Sequence, residues 1–142
     1  MILCHETHFM ASLKTSAITL LQTTTGINAK TIASTSLYAG APTGYNLIVT
    51  KIVIRVTAFT SGGKTVQAIA SFGGNGASYN DYSAGATYTV SAVTKALHED
   101  PAEATELPIY TAGTQFFINI TTGSNATTET WACDVFGYLV SA

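Results

Sequence analysis

A chain of 142 residues with six basic and eight acidic side chains, net charge −2, has no clustered positive surface for a phosphate backbone, so nucleic acid is not an expected partner. Only 10% of its residues are charged, where roughly 25% is usual, and 24 threonines stand in their place. Such a surface is wettable and favours strands, but it has little charge repulsion to keep neighbouring molecules apart, which suits a protein that works in an assembly.

No apolar run approaches the ~18 residues of a membrane-spanning helix, and no membrane partner is expected. The first residues, "MILCHETHFM", have no basic region ahead of an apolar one, and do not read as a signal peptide. Cys4, His5 and His8 are metal-ligand types, but structural zinc needs four ligands and no fourth lies near, so no metal or other cofactor is expected. Residues 1–12 read as an N-terminal arm that binds a neighbouring subunit, and 13–142 as one β-sandwich domain.

From there the chain alternates β-favouring runs with turn signals every eight to twelve residues or so, the pattern of an all-β sandwich or barrel. The predicted strands are "SAITLLQ" (16–22), "KTIASTSLYA" (30–39), "NLIVTKIVIRVTAF" (46–59), "KTVQAIASF" (64–72), "ATYTVSAV" (86–93), "LPIYT" (107–111), "TQFFINITT" (114–122) and "TWACDVFGYLV" (130–140). About eight antiparallel strands in two facing sheets describe a jelly-roll-like sandwich. "APTG" (41–44) places Pro42 where a turn pre-sets φ and Gly44 where it demands an unusual one. In 86–93, Tyr88 and Val90 share a core face.

The third run has apolar residues on both faces. Strict alternation puts Ile48, Ile52, Ile54, Val56 and Ala58 on one side, which is the expected core face. Leu47, Val49, Lys51, Val53, Arg55 and Phe59 fall on the other, and this second face is expected to meet another surface, either a sibling subunit or the capsid. The candidate interface residues are Val49, Lys51, Val53, Arg55 and Phe59, with the two cations at its rim.

"HEDPAEATELP" (98–108) holds four of the eight acids and reads as a surface loop with one helical turn, capped by Asp100, Pro101 and Glu103. Cys133 shares a face with Trp131, Val135 and Leu139 and reads as a small buried hydrophobe; a bridge to Cys4 is the minority alternative. No nucleophile elbow, phosphate loop or paired zinc spacing is present, and the three histidines form no recognisable constellation, so catalysis is not expected. A carbohydrate site is the alternative reading, built from Tyr79, Tyr82 and Tyr88 beside Asn80 and Asp81, since sugars favour exposed aromatic rings.

"LLQTTTGINAKTIASTSLY", the "PTG" turn, "LIVTKIVIRVTA" and the closing "VFGYLV" resemble small Thr-rich all-β structural proteins of tailed bacteriophages, of the capsid cement or decoration type. The resemblance covers residues 20–59 and 133–140. It implies a virion protein on the capsid surface, partnered by the major capsid protein and by itself, often as a trimer, that stabilises the shell by bridging subunits. The alternative within the same particles is a receptor-binding or carbohydrate-binding β-sandwich module of a tail fibre or spike. Such proteins carry no catalytic residues.

Overall fold

The computed structural model describes residues 18–93, 96–100 and 107–142. Eight strands run in the order β1 (Thr19–Asn28), β2 (Ala33–Tyr38), β3 (Tyr45–Thr60), β4 (Ala68–Gly73), β5 (Ser83–Tyr88), β6 (Ala96–Glu99), β7 (Phe116–Thr122) and β8 (Thr128–Ser141). They form two four-stranded sheets, β1-β8-β3-β6 and β2-β7-β4-β5, in which every pairing is antiparallel. The first strand pairs with the last, the second with the second-last, and so inward to β4 and β5. That nesting, folded over into two sheets, is the jelly roll, as the strand count and turn spacing predict.

Period-two patterning builds the core between the sheets. On β8, Trp131, Cys133 and Val135 point inward and are fully buried; on β7, Phe116, Ile118 and Ile120 do the same from the facing sheet. Aromatic rings fill the gap edge to face, with Tyr88 against Trp131 at 5.5 Å between centroids and Tyr110 against Phe116 at 5.4 Å. Cys133 is a free, buried thiol whose pKa burial pushes up to about 12; Cys4 lies outside the described residues.

Two polar clamps tie the layers together. At the side where β5 and β6 are the edge strands of their sheets, the Glu99 carboxylate accepts hydrogen bonds from Ser83 and, at 2.8 Å, from the Tyr88 hydroxyl. Tyr82 donates to the Glu99 carbonyl at 3.3 Å. The other clamp is internal. Lys64 and Glu129 meet at 2.7 Å with side chains only 3% and 0% exposed, and the second Glu129 oxygen accepts from the Trp131 indole at 3.1 Å.

Three expectations shift. "LPIYT" is not a strand: Tyr110 makes a single bridge to Leu47 and the rest is irregular. The strand in that part of the chain is instead "ALHE", β6, whose last two residues, His98 and Glu99, open the segment expected to be an acidic loop. It is four residues long, and a very short strand is one way a sheet edge avoids pairing with another chain. The fifth strand is shifted towards the N-terminus, running Ser83–Tyr88 where 86–93 is expected, so Val90 lies beyond its end; Gly85 takes a positive φ of 100° within it. Residues 101–106, and with them the Pro101 and Glu103 capping positions, lie outside the described residues, as does the arm at 1–12.

Candidate interaction surface

The surface is built on β3, whose sixteen residues lie along the whole of β8. Pairing is not uniform along it. Val49 faces Gly137 and Lys51 faces Phe136, so Thr50 is an extra residue on β3; Val56 faces Trp131 and Ala58 faces Thr130, so Thr57 is another. Each is a β-bulge, where two residues oppose one and the alternation of faces resets. The inward set is therefore Leu47 and Val49, then Ile52, Ile54 and Val56, then Phe59, changing from odd to even and back.

Both bulges have the same chemistry. A bulge interrupts the ladder, and at each one a threonine hydroxyl donates to a β8 carbonyl: Thr50 to Phe136 at 3.3 Å and Thr57 to Thr130 at 3.1 Å. The first also brings the backbones close together. A Cβ on Gly137 would lie 2.2 Å from the Ile48 carbonyl oxygen, so only glycine fits opposite that bulge.

This geometry corrects the expected interface. Val49 is fully buried in the molecule's own core, and Phe59 packs against that core. Neither belongs to an outer face, because the bulges at Thr50 and Thr57 turn them inward. Ile48, expected inside, points outward for the same reason. Lys51, Val53 and Arg55 do lie on the outer face of the β1-β8-β3-β6 sheet.

The structure brings other residues to that face which strand-by-strand reading did not single out. Leu20 of β1 is paired with Phe136 of β8, which is paired in turn with Lys51; one step along, Tyr138 is paired with Ile48. Ile18 and Leu20 are 63% and 52% exposed. Ile18, Thr50, Lys51, Val53, Phe136 and Asp100 line one shallow depression there. The signal in the sequence was the alternation of β8 itself: if Trp131, Cys133 and Val135 are inside, Phe136 and Tyr138 are outside.

Beyond the depression the face turns polar. Arg55 grips Asp134 with two hydrogen bonds, Nε at 2.7 Å and Nη2 at 2.9 Å, and Thr23 adds a third at 2.7 Å. The guanidinium bonds hold the Asp134 carboxyl below the usual carboxylate range, against a smaller opposing effect of burial, with Thr23 assisting. Arg55 is thus satisfied within its own sheet.

The carbohydrate cluster does not assemble. Tyr82 and Tyr88 are core residues, 1% and 4% exposed. Asp81 accepts from the Gly74 amide at 2.9 Å and the Tyr110 hydroxyl at 3.3 Å, while Asn80 is paired with Asn75. Tyr79 alone stays partly exposed, stacked on Phe117 at 4.3 Å between centroids. Among the described residues no group of His, Cys, Asp or Glu is arranged to hold a metal ion, and no helix is long and apolar enough to cross a membrane.

No protein-family model matches the chain, and no curated protein matches it. Among solved structures, the chain is similar to one in the "Acidic stable capsid structure of Helicobacter pylori bacteriophage KHP30", with 12% identity over 89% of this chain and 99% of that one, and a TM-score of 0.49. A likeness at that level carries no argument about function.

Proposed function

We propose that this chain is a non-catalytic structural protein of a bacteriophage particle, a capsid cement or decoration protein that stabilises the major capsid shell by bridging its subunits. One observation carries the reading. A protein with 10% charged residues presents, on the outer face of one sheet, a cluster of apolar side chains from three strands or their ends: Ile18, Leu20, Ile48, Val53, Phe136 and Tyr138. Ile18 and Leu20 are exposed and the other four half-buried; contiguous apolar surface reaching solvent on a small protein marks a contact site, and this one is shallow, as a sheet face is, rather than deeply concave like a small-molecule site. The resemblance of 20–59 and 133–140 to phage cement proteins supplies the particle.

The mechanism is passive linkage. A protein that binds the assembled shell and not the free subunits lowers the free energy of the shell by an amount set by its affinity and concentration. No bond is made or broken.

The test is occupancy on the particle. Purified capsids of the phage that encodes the chain should contain it in near-stoichiometric amount relative to the major capsid protein. Shells lacking it should melt at lower temperature and regain the higher one when it is added back. Finding it only at the tail tip, or absent from particles, removes the proposal.

A further inference from the structure

We propose that the outer face of the β2-β7-β4-β5 sheet carries a binding site for a neutral carbohydrate, with the Tyr79 ring as its stacking platform and Ser78, Asn80, Asn119 and Thr121 as its hydrogen-bonding groups. The site shares only Tyr79 and Asn80 with the cluster expected from the sequence. It does not depend on where the protein sits in a particle.

The sheet supplies the floor. Asn119 of β7 is paired with Ser34 of β2 on one side and with Ser71 of β4 on the other; Phe117, two residues back on the same face, is paired with Ser36 and Gly73. A depression beside them is lined by Ser71, Asn119 and Thr121 from the sheet and by Ser78 and Asn80 from the loop between β4 and β5. No charged side chain among the described residues lines it. Small residues keep it open: outside its chain neighbours, a Cβ on Gly85 would meet nothing nearer than an Ile69 methyl group, at 3.9 Å.

The loop supplies the platform. Tyr79 has a φ of 43°, the one positive φ among the described non-glycine residues, and a bulky residue stays in that region only where its surroundings over-determine it. Here they do. The Asn75 side-chain amide donates to Asn80 Oδ1 and accepts from the Asn80 backbone amide, both at 2.8 Å, while Asn119 holds the Ser78 carbonyl at 3.4 Å. The Tyr79 ring is thereby laid on Phe117, with 25° between the planes. Tyr79 is only partly covered, so the ring face turned away from Phe117 is the open one. An aromatic ring fixed in advance loses little freedom when the apolar face of a sugar stacks on it.

The polar groups have capacity to spare. The bonds that close the loop use Asn80 Oδ1 and its backbone, leaving both side-chain N–H groups free, and the Ser78 hydroxyl has no partner among the described residues. Asn119 keeps one N–H beyond its bond to Ser78 and one lone pair beyond its bond from Ser34; Thr121 donates to the Ile69 carbonyl and can still accept. Donors and acceptors are mixed around the hollow, which matches hydroxyl groups, each of which does both. A phosphate or carboxylate would find no cation there to pair with.

One sugar residue on so open a site should bind in about the millimolar range. Copies arrayed on a capsid would hold a glycan-coated surface far more tightly through multivalency, and that consequence alone rests on the proposed function.

The test is a titration of the ¹⁵N-labelled full chain with methyl glucoside, methyl mannoside and methyl galactoside, beside an array of neutral and acidic oligosaccharides. At least one neutral sugar should shift the Asn80 and Asn119 side-chain amides and the backbone amides of 77–80, and saturate. Tyr79→Gly, which accepts the positive φ without strain, and Ser78→Ala should each weaken binding by about fivefold or more, with resonances elsewhere unchanged. Tyr79→Phe keeps the ring and should stay within about twofold of the parent. The proposal is overturned if no neutral saccharide moves these amides, if the shifts lie on another surface such as the Ile18–Phe136 depression, if acidic saccharides alone bind, or if Tyr79→Gly binds like the parent. Should Tyr79→Gly fail to fold, Ser78→Ala, at an exposed loop hydroxyl, decides in its place. Loss of sugar binding with capsid occupancy intact removes this inference alone; absence from capsids with sugar binding intact removes only the proposed function.

Discussion

Glu129 is the side chain the fold should least tolerate losing. It is fully buried, its two oxygens are taken by Lys64 and Trp131, and Lys64 itself is 3% exposed with the Phe59 ring 5.3 Å away. Replacing it with Gln leaves a buried ammonium without its counter-charge, which typically costs about 3–5 kcal/mol. Urea unfolding followed by Trp131 emission measures this directly, and a loss below about 1 kcal/mol would mean that the lysine finds water. At Asp134 the expected effect is in titration. Its carboxyl pKa is lowered in the fold by the Arg55 hydrogen bonds, so the stabilisation is complete above the unfolded value near 3.9 and is lost as pH falls through the lower, folded value. A carboxyl-carbon NMR titration should place its midpoint below the ordinary aspartate range, and Arg55→Gln should move that midpoint upward.

The two bulges of β3 are the element on which the rest depends. A regular strand of sixteen residues would commit all its odd or all its even positions to the core, and neither set in "YNLIVTKIVIRVTAFT" is uniformly apolar. Extra residues at Thr50 and Thr57 let the chain choose the better face three times. Gly137→Ala tests the first bulge, because the new methyl group would overlap the Ile48 carbonyl oxygen. Overpacking of that kind costs about 1–3 kcal/mol, whereas Thr50→Val, which removes only the hydroxyl bond to the Phe136 carbonyl, should cost about 1 kcal/mol. Thermal denaturation of the two variants ranks them, and a Gly137→Ala protein as stable as the parent would contradict the close approach. Much of this was visible as an anomaly. The inward apolar positions are spaced 2, 3, 2, 2 and 3 from Leu47 to Phe59, and each interval of 3 contains a threonine. A two-residue period alone could not say which way to resolve it, because an isolated strand has no partner against which an extra residue is extra.

At the scale of the molecule, residues 1–12 remain the proposed arm toward a capsid neighbour. Removing them should leave the sandwich folded and reduce occupancy on particles, as judged by the ratio of this chain to major capsid protein after purification; equal occupancy would show the arm dispensable. The all-β class, six of the eight strands near their observed places and the buried side of β8 were determined by the sequence itself, because alternation and turn chemistry are local and each strand declares its inner face within a few residues. The tertiary structure alone decided which strands are neighbours, and so placed Leu20, Phe136 and Lys51 side by side. It also drew Tyr82 inward, away from any sugar, and made a strand of "ALHE" at the edge of β3. These depend on contacts between residues distant in the chain, such as Leu20 with Phe136, whose closeness no local pattern records. A surface patch is made only when strands from the two ends of the sequence lie together.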